Sequence, residues 1–469
     1  MIQVKGNPGT ERYPGHLIWE DCMYLERYAL ANLPRYTSYP PANRFDTGVD
    51  AGSYRGWLRG LDPAASLSLY VHVPFCRTLC WYCGCHTTVP NADDRIDRYV
   101  SLLRAEVDLI AAEIGEGRPV VNVHFGGGTP TILDPDSFLA LVGRLRDRFE
   151  FQPGAEIAVE VDPRGLDEAR IAGLAEAGVT RVSLGVQDLD PEVQRAINRI
   201  QPFGTVARAV TGLKKAGITA INADLMYGLP KQTEEHVAAS ARAVAMLGVD
   251  RVAVFGYAHV PWFKANQRAI DESVLPGPEA RFGQAEAAAQ VLDEKGYDAI
   301  GFDHFARPDD PLAVAAATGR LRRNFQGYVV EPADAIVGFG ASSIGSLPQG
   351  YVQNEPHLKR WGERVTAGEL PIARGIALDD EDRLRREVIE RVLCDGAVDL
   401  ARVADAAGQP VEVLAGALDR LGELQADGLV ALHEWTIRCT GLGRRYMRNV
   451  AACFDPALDT MQGRHSRAV

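Results

Sequence analysis

Several features that would place this 469-residue chain in a common functional class are missing from its sequence. Basic residues are not in excess: 50 Lys and Arg stand against 62 Asp and Glu, which gives a formal net charge of −12 and disfavours a nucleic-acid partner. No uninterrupted apolar run reaches the roughly 20 residues that cross a bilayer. Residues 1–15 are polar and lack the apolar core of a secretory signal. We therefore expect a cytoplasmic protein without a membrane span.

Cysteine is also scarce, and half of the eight cysteines lie in one short stretch. Cys76, Cys80, Cys83 and Cys85 follow the apolar run 67–73. The first three have the spacing C-x3-C-x2-C, without the second C-x2-C pair that usually completes a zinc site. Three thiolates on one loop suit a cubane iron–sulfur cluster that keeps one iron open. A zinc knuckle and a disulfide are the alternatives, and a reducing compartment disfavours the disulfide.

Cys85 is separated from Cys83 by Gly84 alone. With one residue between them, the two thiolates can hardly reach different corners of one cube. We therefore interpret Cys76, Cys80 and Cys83 as the metal ligands and Cys85 as a neighbour that does not bind the cluster.

Residues 66–260 repeat a unit of one apolar run followed by one amphipathic helix. This alternation predicts an α/β fold with a parallel sheet and right-handed crossovers. Six units suggest an open, partial (β/α)6 barrel, and a flat doubly wound sheet is the alternative. The predicted strands are 67–73, 120–125, 157–161, 181–186, 221–226 and 251–257, and the predicted helices are 98–114, 136–149, 167–177, 206–216 and 234–247.

The last hundred residues have a different pattern. Residues 382–393 and 411–424 have helical periodicity, and 428–440 alternate like a small hairpin, which together indicate a mostly helical, winged-helix-like domain. We divide the chain into a leader that covers the active site (1–60), a catalytic barrel with its extension (61–374) and a C-terminal lid domain (375–469).

Glycine or polar residues follow most of the predicted strands. Because active sites of barrels collect at the carboxyl ends of the strands, such residues are candidates for ligand binding. They are Gly126–Gly128 with Thr129, Gln187 and the segment 257–259, together with Glu160 near the end of the third predicted strand and Asp224 inside the fifth.

Three motifs carry a resemblance to a known family. They are SLYVHVPFCRTLCWYCGCHT at 68–87, RYTSYP at 35–40 and GGGTP at 126–130. The chain resembles the oxygen-independent coproporphyrinogen III oxidases (dehydrogenases) of the radical S-adenosylmethionine superfamily. The resemblance runs from Arg35 to the segment 443–455.

The resemblance implies one 4Fe-4S cluster and S-adenosylmethionine, with two nucleosides per chain as an option. It assigns Tyr70, Gly127, Glu160 and Ile344 to the first nucleoside. It assigns to the second Tyr82, Gly128, Thr129, Gln187, Arg199, Asp224 and Ala258. The catalytic residues that it implies are Tyr70, Glu160, Asp224, Phe325 and Gln326.

The implied reaction is the anaerobic oxidative decarboxylation of two propionates of coproporphyrinogen III. It gives the two vinyl groups of protoporphyrinogen IX, after a 5′-deoxyadenosyl radical has removed hydrogen. The partners would be this substrate, an electron donor and an electron acceptor, and we expect a monomer. The basic candidates for seating propionates are His304, Arg307, Arg322 and Arg323. A haem chaperone of the same superfamily and a cluster-containing DNA-binding regulator are the alternatives.

Overall fold

A computed structural model describes residues 23–330 and 332–458 of the chain. Residues 1–22 of the predicted leader, with Cys22, therefore lie outside the described residues. Two helices precede the sheet, α1 (Glu26–Ala29) and α2 (Ala51–Arg59). Asp50 fixes the start of α2, because its side chain accepts a hydrogen bond from the Ser53 N–H.

Six parallel strands form the centre of a twelve-stranded sheet, and they lie side by side in chain order. This order has no reversal, which favours the barrel over the doubly wound sheet. The two outermost strands of the sheet do not pair with each other in the described part of the chain, so the barrel is open, as predicted. The six strands are β1 (Leu67–Val73), β2 (Pro119–Gly127), β3 (Glu150–Val161), β4 (Arg181–Gln187), β5 (Ala220–Tyr227) and β6 (Arg251–Gly256).

Helices cross over between these strands and cover one face of the sheet. Leu67, Leu69, Val71 and Val73 are fully buried in the core on that face. Their neighbours Ser68, Tyr70 and His72 therefore point to the opposite face, which is the barrel interior. The crossover helices are α3 (Asp94–Ile114), α4 (Pro135–Arg148), α5 (Glu168–Glu176), α6 (Pro191–Ala196), α7 (Phe203–Lys215) and α8 (Glu234–Met246).

The extension after β6 widens the sheet on both sides. Its first part adds antiparallel strands beside β6, and its later part adds a strand parallel to β1 and three antiparallel strands beyond it. Its elements are α9 (Pro278–Glu294), β7 (Asp298–Ile300), β8 (His304–Ala306), α10 (Pro311–Ala317), β9 (Arg322–Asn324), β10 (Gly327–Val329), β11 (Ala335–Phe339), β12 (Ile344–Leu347), β13 (Gly350–Asn354), α11 (Leu358–Thr366) and β14 (Ile372–Ala377).

The C-terminal region is mostly helical and contains the predicted hairpin. The predicted helix 411–424 begins as a 3-10 helix, Val411–Ala417, and continues as an α-helix. Strand β14 crosses the predicted boundary at 374/375, and the division into domains stays a prediction. The elements are α12 (Asp380–Asp395), β15 (Ala397–Asp399), α13 (Leu400–Ala406), α14 (Leu418–Ala426), β16 (Val430–His433), β17 (Thr436–Cys439) and α15 (Met447–Ala452). Further 3-10 turns lie at Ala42–Arg44, Pro130–Ile132, Pro163–Gly165, Ala265–Ala269, Glu272–Val274 and Gly443–Tyr446.

The described part of the leader joins the C-terminal region to the rim of the barrel. Tyr36 is buried in the C-terminal core, and its hydroxyl donates to Asp455 at 3.2 Å. Arg448 donates to the Pro34 carbonyl at 3.2 Å, and Arg35 donates to the Gly256 carbonyl, at the end of β6, at 2.7 Å. Among the described residues, no helix has the length and apolar character needed to cross a membrane.

Candidate active site

The cysteine loop, residues 76–85, leaves the carboxyl end of β1 and is held there by backbone hydrogen bonds. The Cys76 N–H donates to the Thr88 carbonyl at 3.1 Å, and the Thr129 N–H donates to the Phe75 carbonyl at 2.8 Å. The glycine-rich end of β2 thus lies directly against the start of the loop. Two motifs that are about fifty residues apart in the sequence meet at one end of the barrel.

Each of the three predicted ligand thiols has its own polar partner. The sulfur of Cys76 lies 3.5 Å from the Thr129 hydroxyl, and that of Cys83 lies 3.9 Å from the Thr87 hydroxyl. Cys80 accepts hydrogen bonds from two arginines. All seven cysteines of the described residues are free thiols, so none of them forms the alternative disulfide. Hydrogen-bond donors around cysteine sulfurs are typical of iron–sulfur sites, where they tune the reduction potential.

The thiols differ in how readily they ionise. Burial raises the pKa of Cys76 to about 11. The pKa of Cys83 is lowered to about 6, first by a hydrogen bond from Cys85, and the pKa of Cys85 is raised well above its usual value by the same bond. Of the four thiols on the loop, that of Cys85 is the one exposed to solvent.

Two arginines and one carboxylate surround Cys80. Arg199 and Arg164 donate to the Cys80 sulfur at 3.4 and 3.5 Å, and they donate to Asp162 at 3.1 and 2.6 Å. Arg199 also donates to the Gly185 carbonyl at 2.5 Å, and only 7% of its side chain is exposed. Asp162 thus holds both guanidinium groups against the Cys80 sulfur.

The family resemblance assigns Arg199 to the second nucleoside, and no sequence motif singles out Arg164. The structure places Arg199 behind the cysteine loop with protein partners on three sides. For Arg164, the available signal was its position directly after β3, at the end of the barrel where active sites collect.

Glu160 is held at the glycine-rich end of β2. Its carboxylate accepts hydrogen bonds from the Gly127 N–H and from His124 Nε2, both at 3.1 Å. Burial acts to raise the pKa of Glu160, but the bond from His124, the charge of that ring and the bond from Gly127 outweigh burial and lower it. Because each carboxylate oxygen can accept a second hydrogen bond, Glu160 can still receive a ligand ammonium or hydroxyl group.

The glycines at this end are required by close packing. A Cβ on Gly127 would lie 2.4 Å from the His72 ring, and its φ of +102° is one that side chains disfavour. A Cβ on Gly128 would lie 2.5 Å from the Phe75 carbonyl oxygen. These glycines therefore allow β2, β1 and the cysteine loop to approach each other closely.

Tyr70 and His72 form a fixed polar pair inside the barrel. Burial lowers the pKa of His72 to about 4, so its ring is neutral at neutral pH. Its Nε2 lies 3.1 Å from the His86 carbonyl, which only accepts, so Nε2 carries the proton. Nδ1 must then accept from the Tyr70 hydroxyl at 3.0 Å. The Tyr70 ring also stacks on His124, with 5.9 Å between the ring centroids, which links Tyr70 to Glu160.

Asp224 lies inside the barrel on β5. It accepts from the Ser183 hydroxyl at 2.9 Å and from the Asn222 amide at 2.7 Å. Burial, opposed by the hydrogen bond from Ser183, raises its pKa to about 6, and the negative charge of Glu160 contributes to this increase. The structure therefore brings Asp224 and Glu160 into one electrostatic environment, as the sequence predicted for residues at one end of the barrel.

Two predicted residues are joined by a side chain that sequence reasoning missed. The Gln267 amide donates to the Tyr82 carbonyl at 2.9 Å and to the Ala258 carbonyl at 3.1 Å. Gln187 is the last residue of β4 and has a left-handed conformation, with a φ of +67°. Gln267 lies in the 3-10 turn Ala265–Ala269, and no local sequence pattern connects that turn with Tyr82 on the distant cysteine loop.

Phe325 and Gln326 occupy the turn between β9 and β10. The Gln326 amide reaches the Ser68 hydroxyl on β1 at 3.5 Å, on the same strand face as Tyr70. Phe325 contacts the Tyr351 ring edge to face, with centroids 5.5 Å apart, and packs beside Ile344. The turn thus lies against the interior of the sheet on the β11 side.

All four basic candidates for seating propionates have protein partners. Arg322 makes paired bonds to Glu387 at 2.9 and 2.8 Å and also contacts Glu390. Arg307 stacks over the Tyr297 ring at 4.5 Å. Two further candidates, His304 and Arg323, lie on either side of Asp303, at 2.7 and 4.0 Å.

A cavity with a basic lining lies between the barrel rim, α9 and the C-terminal region. Arg35, Arg281 and Arg448 line it, together with the aromatic side chains of Phe282 and Phe302. The positive charge of Arg35 helps burial to lower the pKa of Arg448, to about 10. The sequence does not reveal this cavity, because the arginines that line it come from the leader, α9 and α15, which are far apart in the chain.

The open barrel and the three-cysteine loop define a radical S-adenosylmethionine protein. The family model described as the Radical SAM superfamily matches residues 70–244, and the HemN C-terminal domain model matches residues 378–446. More specifically, the chain belongs to the oxygen-independent coproporphyrinogen III oxidase family. The family implies a 4Fe-4S cluster and S-adenosylmethionine as cofactors.

Curated relatives and a solved structure establish this membership. Proteins named oxygen-independent coproporphyrinogen III oxidase are 49% identical in Bradyrhizobium diazoefficiens, over 94% of this chain and 98% of the relative, and 39% identical in Escherichia coli, over 93% and 95%. The structure of coproporphyrinogen III oxidase (HemN) from Escherichia coli, described as a radical SAM enzyme, matches with a TM-score of 0.86 and 39% identity, over 90% of this chain and 97% of that one. The predicted family and fold class are confirmed.

Proposed function

We propose that this chain converts coproporphyrinogen III to protoporphyrinogen IX by the oxidative decarboxylation of two propionates without oxygen. The observation that carries the proposal is the cysteine loop, which lies at the same end of the barrel as Glu160 and Asp224 and has a polar partner for each predicted ligand thiol. The names of the relatives support this function over the chaperone and the regulator.

The donor set fits the cofactors of the family. We propose that Cys76, Cys80 and Cys83 bind the cluster and that Cys85 does not. Glu160, Tyr70, Gly127 and Ile344 would hold the nucleoside at the open iron. A second nucleoside would be held by Tyr82, Gly128, Thr129, Gln187, Asp224 and Ala258. Arg199 would contribute to this second site from behind the cysteine loop. When bound, the cluster and S-adenosylmethionine supply hydrogen abstraction from an unactivated carbon, which side-chain acids and bases do poorly.

The chain's own residues bind and orient the ligands and shield them from water. The neutral His72 fixes the Tyr70 hydroxyl, and His124 fixes Glu160, so both groups are in place before a ligand arrives. Ser183 and Asn222 hold Asp224 in the same way. We propose that the described part of the leader and the C-terminal region cover the barrel rim and exclude water from it. We further propose that the enzyme acts as a monomer in the cytoplasm, where thiols stay reduced.

We propose that the cavity lined by Arg35, Arg281 and Arg448 receives a propionate of the substrate. Replacing Arg35 by Gln should raise the KM for coproporphyrinogen III about 10-fold or more, because a charge-assisted hydrogen bond contributes roughly 1.5–3 kcal/mol. The turnover number should change less, since the group lies outside the barrel interior. Steady-state kinetics checks this, with Arg59→Gln as the control, because Arg59 lies in the same leader and pairs with Glu113 on the surface. An unchanged KM would place the propionates elsewhere.

The function itself is tested by an anaerobic assay. Protein reconstituted with iron and sulfide, then given S-adenosylmethionine, a reductant and coproporphyrinogen III, should yield protoporphyrinogen IX and two molecules of carbon dioxide per substrate. Chromatography of the oxidised porphyrins measures the product. Haem binding without any decarboxylation would support the chaperone instead.

A further inference from the structure

A second cavity lies between the leader, the β9–β10 hairpin, the large sheet and helix α12. We call it the α12 cavity, and we call the cavity lined by Arg35, Arg281 and Arg448 the α9 cavity. The volume of the α12 cavity is about 160 Å³. Because a water molecule takes up about 30 Å³ in the liquid, this volume has room for a carboxylate group with its methylene arm. The residues that line the α12 cavity include Tyr36, Arg322, Arg323, Phe325, Ile336 and Arg386.

The α12 cavity borders the interior of the barrel. Ile336 lines it and pairs with Ser68 in the parallel register of β11 and β1. Because paired residues of adjacent strands point to the same face of a sheet, Ile336 faces the interior, as Tyr70 does. Phe325 also lines the cavity and belongs to the turn from which Gln326 reaches Ser68. A ligand in the barrel can therefore extend one arm into the α12 cavity.

Arg323 brings a buried positive charge to the wall of this cavity. Only 5% of its side chain is exposed, and its guanidinium lies against the rings of Phe302 and Tyr328, at 4.8 and 4.6 Å from their centroids. Two of its nitrogens, Nε and Nη1, have no hydrogen-bond partner among the described residues. The carboxylate of Asp303 is 4.0 Å away and also contacts His304 at 2.7 Å. A buried guanidinium with unused hydrogen-bonding capacity favours the binding of an anion.

The other charged groups of the α12 cavity do not use up this capacity. Arg322 is neutralised by Glu387 and Glu390. Asp334 accepts two hydrogen bonds, both at 2.8 Å, from the residue that precedes β1. Arg386 is half-buried and has no ion-pair partner in the described part of the chain. Arg386 is therefore a second cation that a ligand in the cavity can use.

The α12 cavity and the α9 cavity meet at one pair of side chains. Asp303 lines the α9 cavity, and Arg323, 4.0 Å from it, lines the α12 cavity. The leader passes from one cavity to the other, because Arg35 lines the first and Tyr36 lines the second. Two negatively charged arms that leave one molecule side by side can therefore enter both cavities together.

We propose that the α12 cavity binds a propionate that the reaction leaves intact, and that the α9 cavity binds the neighbouring one. The proposal rests on the proposed function, which supplies the substrate. Coproporphyrinogen III has four propionates, and its product keeps two of them, on neighbouring pyrrole rings. These two point to the same edge of the macrocycle, which matches two adjacent cavities. By holding them, the cavities determine which two propionates remain for the barrel interior.

Equilibrium binding of the product tests the proposal, because protoporphyrinogen IX carries only the two retained propionates. Reconstituted protein without S-adenosylmethionine is mixed with it anaerobically. Ultrafiltration, followed by oxidation to the fluorescent porphyrin, measures the free ligand. The variants Arg323→Gln and Arg386→Gln should each weaken binding about 10-fold or more, because each loses a charge-assisted hydrogen bond to a carboxylate.

A second ligand separates contact with the carboxylates from a general effect on the fold. The dimethyl ester of protoporphyrinogen IX has no negative charge on the retained arms. It should bind to the unmodified protein about 10-fold or more weakly than the acid does. Its affinity should not fall further in either variant, since the arginines have no carboxylate to bind.

The matched control is Arg383→Gln, on the same helix as Arg386. Arg383 pairs with Asp380 at 2.9 Å and lines neither cavity. This variant should bind both ligands as the unmodified protein does. Circular dichroism checks the fold of each variant. If the buried Arg323→Gln protein does not fold, the half-buried Arg386→Gln variant decides the outcome alone.

Four outcomes would overturn the proposal. One is unchanged binding of protoporphyrinogen IX in the folded variants. Another is an equal loss of affinity for the ester, which would give the arginines a structural role only. The third is weaker binding of coproporphyrinogen III but not of protoporphyrinogen IX, which would place a reacting propionate in the cavity. The fourth is an unmodified protein that does not bind the acid more tightly than the ester. Because binding is measured without turnover, a failure to decarboxylate the substrate would not affect this test.

Discussion

Replacing Cys80 by Ala is expected to abolish both the cluster and all turnover. Cys80 is the most deeply buried of the three predicted ligand thiols, and it accepts hydrogen bonds from Arg164 and Arg199. Without this sulfur, one corner of the cluster has no protein ligand. The buried Arg199 and the half-buried Arg164 each lose a hydrogen-bond acceptor. After anaerobic reconstitution, the variant should contain little bound iron and sulfide. Its spectrum should lack the visible absorbance of a 4Fe-4S cluster.

The matched control for this experiment is Cys85→Ala, on the same loop. Since Cys85 is a neighbour of the cluster in our proposal, this variant should keep four irons per chain and the same visible absorbance. A Cys80→Ala protein with a full cluster would contradict the ligand assignment. So would a Cys85→Ala protein that cannot assemble one. Circular dichroism of both proteins before reconstitution would show that the fold is retained.

The sequence predicted the centre of the fold well because each strand there obeys a local rule. Strand β1 has the predicted bounds, since an apolar run ends at Pro74. Strand β3 begins at Glu150, seven residues before its predicted start. Pro153 and Gly154 within it indicate a loop locally, and pairing with β2 overrides that signal. Local sequence patterns do not predict tertiary contacts of this kind.

The parts of the sheet that the sequence did not predict come from distant segments. Strand β11 lies beside β1 although more than 260 residues separate them. Its neighbours β12 to β14 are short, and their pairing is antiparallel, so they lack the alternation with helices that revealed the barrel. Hence the six-stranded centre was predictable, and the extension that brings Phe325 and Ile344 towards the barrel was not.

The residues of the candidate site also divide into those with a local sequence signal and those that only tertiary contacts reveal. Cys76 follows a predicted strand, Glu160 lies near the end of one, and Asp224 is a carboxylate inside an apolar one, so each has a local signal. His124 was missed although it lies on β2, two residues before the glycines, because a lone histidine on a strand more often has a structural role. Its bond to Glu160 emerges only when β2 and β3 are placed side by side.

Replacing Glu160 by Gln should weaken the binding of S-adenosylmethionine about 10- to 100-fold. Glu160 is an ionised acceptor, because the bonds from His124 and Gly127 outweigh burial and keep its pKa below the usual value. The carboxylate therefore stays charged throughout the neutral range and can attract a ligand ammonium. A hydrogen bond to a charged group contributes roughly 1.5–3 kcal/mol, which corresponds to this loss of affinity. Equilibrium binding to the reconstituted protein measures it.

Glutamine has nearly the same shape as glutamate and can still accept the Gly127 N–H bond, so the glycine-rich end should keep its position. The control is Glu150→Gln, at the exposed start of the same strand, and it should bind S-adenosylmethionine as the unmodified protein does. Iron content should be normal in both variants, because neither residue is a predicted cluster ligand. If Glu160→Gln bound the nucleoside with unchanged affinity, the carboxylate would serve only to position Gly127 and His124, and the ammonium would be bound by other groups.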